Sequence, residues 1–493
     1  FAVACALCLF LNSGAAARGA ENVTERMPLK LNAYQPLGPE WSTNVTLYQL
    51  NLHNYTPEGT IAAAAAHLPR LRRLGVGVVW LMPIHPRGKI IPSPDTLKKY
   101  QGSPLPLRDP RPHDGNPYCP RDHRQIDPAL GTFDDLKAFT GEAHRLGIRV
   151  ILGWIPNHTS WDSPLIEQHP EFYMRGEEGQ VLYHAPWQSL ARLDYGNSRE
   201  LWQWMLDARN LYVERCGIDG FREDVAGRTP LEHWEWLRPR LDPKRELLML
   251  AEAHEAALLG PLDMTYDWEM PGVYFQIAAG KASPTRIDDL LLKQSKQGPA
   301  GARRLRYLFN HDQTGGHRRF HQVRSVVKRL YGAEDGPTVP THREKYGEAL
   351  PTLVALNFTL PGGTPLIFMG EEIGYYEAIP HNRVEGYRIP WDVPAERNLA
   401  IYYARLARLV REHPAISRGS FERIWSEAES VYAFVRATGD DRVVVLANLS
   451  AEPCHIATLE ALREMATEVL SGTPAPATGE VELGPWECRI YVK

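Results

Sequence analysis

Apolar positions along the chain fall into short runs, and three of these runs share one frame. RLGVGVVWLMPI (Arg73–Ile84), RLGIRVILGWI (Arg145–Ile155) and RCGIDGFREDV (Arg215–Val225) each read Arg, any residue, Gly, then Val or Ile and a strand-like stretch. Their glycines, Gly75, Gly147 and Gly217, recur about every 70 residues. The segment before Gly147 has a different period. Leu136, Phe139, Ala143 and Leu146 share a helical face, and Thr132 with Asp135 has the spacing of a capping box. Gly147 then suits the position just past the helix end, where positive φ is needed. A helix that stops on glycine and feeds a buried strand is half of a βαβ unit, and several in a row predict a parallel sheet. Five more strands are expected at Asn44–Leu52, Leu247–Glu252, Met264–Trp268, Arg306–Asp312 and Pro365–Gly370, which makes eight. Eight strands alternating with helices predict an α/β fold, the (β/α)8 TIM barrel. An open doubly wound sheet is the alternative, and no Gly-rich phosphate loop follows the first strand to favour it.

The pattern changes after the helix predicted over Asn398–Glu412. SVYAFVRA and RVVVLANL alternate around the turn Thr438–Asp441, a hairpin signal, and GEVELGPWECRIYVK ends the chain in the same style. Residues 417–493 are therefore expected to form a C-terminal antiparallel β-sandwich domain, and residues 21–416 the barrel. Two long irregular stretches, Pro86–Asp122 and Thr159–Ser198, follow the second and third strands, where a barrel builds its functional face. The second corresponds to a short domain B loop at about 158–198.

Residues 1–20 are read as the remnant of a secretory signal. FAVACALCLFL is apolar but too short to span a bilayer, and Ala15–Ala17 offers a cleavage site. A secreted or periplasmic location is expected, with lipoprotein anchoring through Cys5 or Cys8 left open. No later segment reads as a transmembrane helix. Of the other cysteines, Cys119, Cys216, Cys454 and Cys488, the last two are the expected disulfide pair. The net charge of −4 forces no basic face, which argues against a nucleic-acid partner.

Charge is instead concentrated at strand ends. In GFRED, alternation puts Arg222 and Asp224 on one face and Glu223 on the other. The fifth and seventh strands also end in acids, Glu252 and Asp312. Three carboxylates at one barrel mouth are costly unless paired, hydrogen-bonded or protonated, and unequal proton affinity is what acid–base chemistry requires.

Four motifs in order, WIPNH (Trp154–His158), GFREDVA (Gly220–Ala226), the Glu252 of LAEAHE and NHD (Asn310–Asp312), give the chain a resemblance to the α-amylase family of glycoside hydrolases (glycoside hydrolase family 13). NPYCPRDHRQIDPALGT and GTPLIFMGEEIG also look familial. The resemblance implies a retaining α-glucoside hydrolase acting on α-1,4-linked glucans such as starch and maltodextrins. It makes Asp224 the nucleophile, Glu252 the acid/base and Asp312 the transition-state stabiliser. Arg222 would position Asp224, His158 and His311 would hydrogen-bond the sugar, and Tyr118 would stack on it. No cofactor is implied for the chemistry. Asn157 matches a calcium-binding position of many relatives, so a structural calcium is an expectation, and no other metal-ligand spacing is recognised. One position departs from the pattern: the family usually carries Asp four residues before Asn157, and this chain has Gly153. A transglycosylase of the branching or trehalose-forming type on the same barrel is the alternative, as is a glucan-binding protein with activity reduced by Gly153.

Overall fold

The computed structural model describes residues 28–89, 115–184, 187–314, 346–375, 388–393, 398–457 and 459–493. The expected signal and its two cysteines lie outside the described residues. Eight parallel strands close a barrel: Leu47–Leu50, Val78–Leu81, Arg149–Trp154, Gly220–Glu223, Leu248–Ala251, Met264–Tyr266, Arg303–Arg306 and Gly363–Phe368. The eighth strand returns to the first, with Leu366 opposite Leu47. Alternation divides the side chains. Leu47, Val78, Ile151, Leu248, Met264, Leu305 and Leu366 fill the inside with Trp80, Tyr266 and Tyr307, while Val79, Leu81, Val150, Leu152 and Met249 pack outward into the core shared with the helices. The helix Phe133–Arg145 starts on the expected capping box, in which Asp135 N donates to Thr132 Oγ1 at 3.2 Å and Thr132 N to Asp135 Oδ2 at 2.8 Å. Gly75, Gly147 and Gly217 end their helices at φ of +91°, +71° and +70°.

The seventh strand differs from expectation. It is Arg303–Arg306, RRLR, and the predicted Tyr307–Asp312 follows it as the rise to the mouth. Its charged run hides a buried strand because each arginine meets an acceptor, and those of Arg303 and Arg306 are buried. Arg303 donates to Ser42 O at 2.6 Å and Ser42 Oγ at 2.8 Å, and Arg306 Nε donates to Asp267 Oδ2 at 3.1 Å. The stretch after the third strand is also more regular than predicted. His158–Ser160, Tyr183–His184 and Trp187–Arg192 form a three-stranded antiparallel sheet.

The C-terminal part is a six-stranded antiparallel sheet in the order Lys30–Leu31, Ser420–Ile424, Val431–Thr438, Asp441–Asn448, Cys488–Val492 and Thr467–Glu468. A two-stranded sheet, Cys454–Ile456 with Val481–Leu483, shares a second core with it. The predicted hairpin is present: Thr438 pairs with Asp441 around Gly439, at φ +56°. The expected Cys454–Cys488 disulfide is absent, and all four cysteines outside the N-terminal run are thiols. Cys454 pairs with Leu483 in the small sheet and Cys488 with Ala447 in the large one, so the two belong to different ladders.

Candidate active site

The fourth strand presents Arg222 inward and Glu223 outward, as the alternation requires. Outside the barrel, buried Glu223 accepts from Arg209 Nε at 3.0 Å and Nη2 at 2.8 Å, a bidentate structural pair. Asp224 follows at the mouth, its N–H donating to Trp154 O at 2.8 Å so that the ladder continues past the strand end. Its carbonyl accepts from Asn157 Nδ2 at 2.9 Å.

Arg222 joins three strand ends. It is fully buried, with Nη1 2.5 Å from Asp224 Oδ1, Nη2 3.1 Å from Glu252 Oε1, and Nε donating to Tyr266 Oη at 3.0 Å. The rings of Trp80, Tyr266 and Tyr118 lie 5.1, 5.5 and 5.8 Å from the guanidinium carbon and surround the cation with π faces and low polarity. Glu252 Oε2 accepts from Val225 N at 2.7 Å, and Val225 takes a left-handed backbone, φ +43°, to direct that N–H at it.

Glu252 holds its proton unusually tightly. Burial pushes its carboxyl up to about 8, the charges of Asp224 and Asp312 push the same way, and Arg222 opposes them. Asp312 acts on Glu252, Tyr118 and Tyr266 through its charge, which places it at the same mouth. Its side chain is 45% exposed, with Oδ1 3.7 Å from His311 Nε2.

Tyr118 and His311 stack face to face, with centroids 5.0 Å apart and planes at 6°. His158 faces protein atoms with both ring nitrogens, Nδ1 2.6 Å from Asn157 Oδ1 and Nε2 2.8 Å from Tyr118 O, so it anchors the Tyr118 loop. The structure thus brings Arg222, Asp224, Glu252 and Asp312 together, with Tyr118, His158 and His311 beside them.

Three further residues belong here. Gln49 Nε2 lies 2.6 Å from His311 Nδ1, Trp80 meets the His311 ring edge-on at 5.9 Å, and Tyr266 anchors Arg222. The available signal was a glutamine on the inward face of an otherwise apolar strand, LYQL. Trp154, by contrast, is turned outward and packs 4.6 Å from the Arg209 guanidinium.

Gly153 stands opposite Arg222 in the register. A Cβ there would lie 3.0 Å from Pro83 Cδ and 3.3 Å from Leu81 O, so a side chain at this position would press on Pro83 and the second strand's backbone. As for calcium, Asn157 Oδ1 is engaged by His158, and no group of three His, Cys, Asp or Glu side chains able to hold a metal occurs among the described residues.

The Alpha amylase catalytic-domain family model matches residues 42–172, and the Maltogenic Amylase C-terminal-domain model matches residues 421–490. Alpha-amylase 2 of Dictyoglomus thermophilum is 23% identical over 451 residues, 83% of this chain and 70% of that protein. An alpha-1,4-glucan:maltose-1-phosphate maltosyltransferase of Rhodospirillum rubrum is 25% identical over 417 residues. That match covers 80% of this chain, which spans only 54% of the transferase. The crystal structure of a noncanonic maltogenic alpha-amylase from Thermotoga neapolitana superposes with a TM-score of 0.74 at 25% identity, over 92% of this chain and 99% of that one. The closed barrel and the antiparallel C-terminal domain agree with these matches, and along both the chain is similar to the α-amylase family of glycoside hydrolases.

Proposed function

We propose that the chain is a retaining α-glucoside hydrolase that cleaves α-1,4-linked glucans such as starch and maltodextrins. One observation carries the reading: a single buried guanidinium touches two carboxyl groups, and one of them, Glu252, keeps its proton up to about pH 8. Cleaving an acetal needs an acid for the departing oxygen and an electron pair at the anomeric carbon. Glu252 gives its proton to the glycosidic oxygen while an Asp224 oxygen attacks the anomeric carbon, and the glycosidic bond breaks. The leaving sugar departs with the new O–H, and a glycosyl ester on Asp224 remains. Glu252, now a carboxylate, takes a proton from water, whose oxygen attacks the same carbon and releases Asp224. Two inversions retain the configuration. The shared guanidinium favours the close carboxyl spacing of a retaining pair, about 5–5.5 Å, over the wider gap that admits a water between the two groups. Asp312 supplies the fixed negative charge that an oxocarbenium-like transition state needs, while the buried Arg222 holds Asp224 in position.

Digestion of maltoheptaose, followed by NMR of the first products, tests this reading. Shorter oligosaccharides in the α-anomeric form are expected. The Asp224→Asn variant is expected to bind maltoheptaose with turnover reduced by at least about 10³-fold. β-Anomeric products, or substantial activity in that variant, would overturn the assignment. The likeness to a maltosyltransferase gives the second reading specific support; longer or branched products from maltoheptaose would select it. Export of the enzyme is supported by the apolar run before Ala15–Ala17.

A further inference from the structure

Strand alternation continues past the ends of the fifth and sixth strands. Glu252 and Tyr266 face inward, while Asp267 between Tyr266 and Trp268 faces outward to Arg306 and Gln294. Met264 pairs with Leu250, and Tyr266 N donates to Ala253 O at 2.9 Å, so the two strand ends stay in parallel register. Two residues on, His254 and Trp268 form the next layer, nearer solvent and directly above the acid and the Arg222 anchor. Their rings are 5.3 Å apart and tilted by 54°, and Trp268 lies 6.0 Å from Tyr266. His254 is steadied by Glu255, whose Oε2 accepts its N–H at 3.0 Å. Trp268 is 36% exposed, and among the described residues it is the one exposed large apolar side chain just past a barrel-strand end.

On the hydrolase reading, the departing sugar begins at the oxygen that Glu252 protonates. The retained ring is held on the other side, by Asp224 and by the Tyr118–His311 stack from the loops after strands two and seven. Among the described residues, the rim on the Glu252 side, over strands five and six, faces the sugar that leaves. We infer that Trp268, with His254, forms the apolar platform that seats the leaving-group glucose and sets the preference for what is cleaved off. The inference rests on the hydrolase reading and adds which wall holds which half of the substrate. An indole face offers a sugar's C–H surface a flat apolar partner without competing for the Glu252 proton. Binding energy gained there positions the scissile oxygen against the acid.

The test compares two substrates. Maltotetraose leaves a sugar behind, whereas α-maltosyl fluoride expels only fluoride and leaves the platform empty. For Trp268→Ala, the ratio of kcat/KM on maltotetraose to that on α-maltosyl fluoride should fall roughly tenfold, the scale of one apolar contact in a substrate pocket. Trp268→Phe should restore most of it, and His254→Ala should shift it the same way. An unchanged ratio in Trp268→Ala, whether both activities fall together or neither falls, overturns the platform. Wild-type protein that turns over neither substrate overturns the hydrolase reading instead, and the platform with it.

Discussion

At the residue scale, the site depends on unequal treatment of chemically similar groups. Asp224 is gripped at 2.5 Å by Arg222, whereas Glu252 receives the same guanidinium at 3.1 Å and sits beside two other acids. A general acid must carry its proton, so kcat/KM should fall on the alkaline side with a midpoint near pH 8, where Glu252 loses its proton. The sign of a charge change follows. Asp312 raises the proton affinity of Glu252, so Asp312→Asn should move that alkaline limb to lower pH while reducing kcat by about 10²–10³-fold. A pH–rate profile of the variant is the measurement, and a limb that stays put or rises removes Asp312 from the field around Glu252. Much of this was legible in GFRED, AEAHE and NHD, because three strand ends carrying acids together, in the order of a known family's motifs, fit one site better than three separate ion pairs. Gln49 was not legible. A glutamine on an inward strand position looks like core filling until a histidine two places round the barrel is there to meet it. Nor could Gly153 be interpreted from one strand, since the atoms that crowd its side-chain position, from Pro83 and Leu81, come from another part of the chain.

At the element scale, the barrel strands were readable where a short run is largely apolar, and misplaced where charge interrupts it. In the seventh strand, Arg303, Arg304 and Arg306 break the apolar signature, and acceptors on other elements, Ser42 for Arg303 and Asp267 for Arg306, offset the cost of burying them. The eighth strand shows the same logic at its end, in MGEEIG. Glu371 is buried, its Oε1 accepting from Tyr403 Oη at 2.5 Å and its Oε2 from Phe368 N at 3.0 Å. Burial lifts its carboxyl to about 8, from an ordinary value of 4.5. The folded chain therefore keeps a proton that the unfolded chain releases above about 4.5, and stability contributed by the neutral form declines as pH rises toward 8. Glu371→Gln has no proton to lose, so its melting temperature should fall less than that of the wild type between pH 5 and pH 8. Thermal melts across that range check it, and parallel curves for the two proteins would refute a titration at this site.

At the scale of the whole molecule, the C-terminal sheet is bound to the barrel on one face rather than tethered beside it. Tyr432, Phe434, Val443, Val445 and Ile490 belong to the same continuous core as the barrel helices, while Val431, Ala433, Val435, Val444 and Leu446 line the second core with Ile456, Val481 and Leu483. Period two thus buries both faces of one sheet, each against a different layer. Polar contacts mark the same seam. Arg436 Nη1 donates to Thr359 O at 2.8 Å, at the end of the helix Leu350–Thr359, and Tyr432 Oη donates to Asp288 Oδ1 at 2.7 Å on the helix Thr285–Ser295. Lys30–Leu31, which precede the barrel in sequence, complete the edge of the distal sheet beside Ser420–Ile424. Removing the sheet would expose an apolar helix layer and leave the N-terminal strand unpaired, so the two parts should unfold as one unit. Phe434→Ala empties a fully buried aromatic site in this seam and should cost about 3–5 kcal/mol. If the parts are coupled, that loss appears as an equal drop in the midpoint for heat inactivation of glucan cleavage and in the midpoint for loss of β-sheet circular dichroism, although Phe434 lies in the sheet and the proposed catalytic groups lie at the barrel mouth. If the sheet melts early while cleavage persists to the wild-type temperature, the barrel stands alone and the shared core contributes nothing to holding Asp224, Glu252 and Asp312 in place.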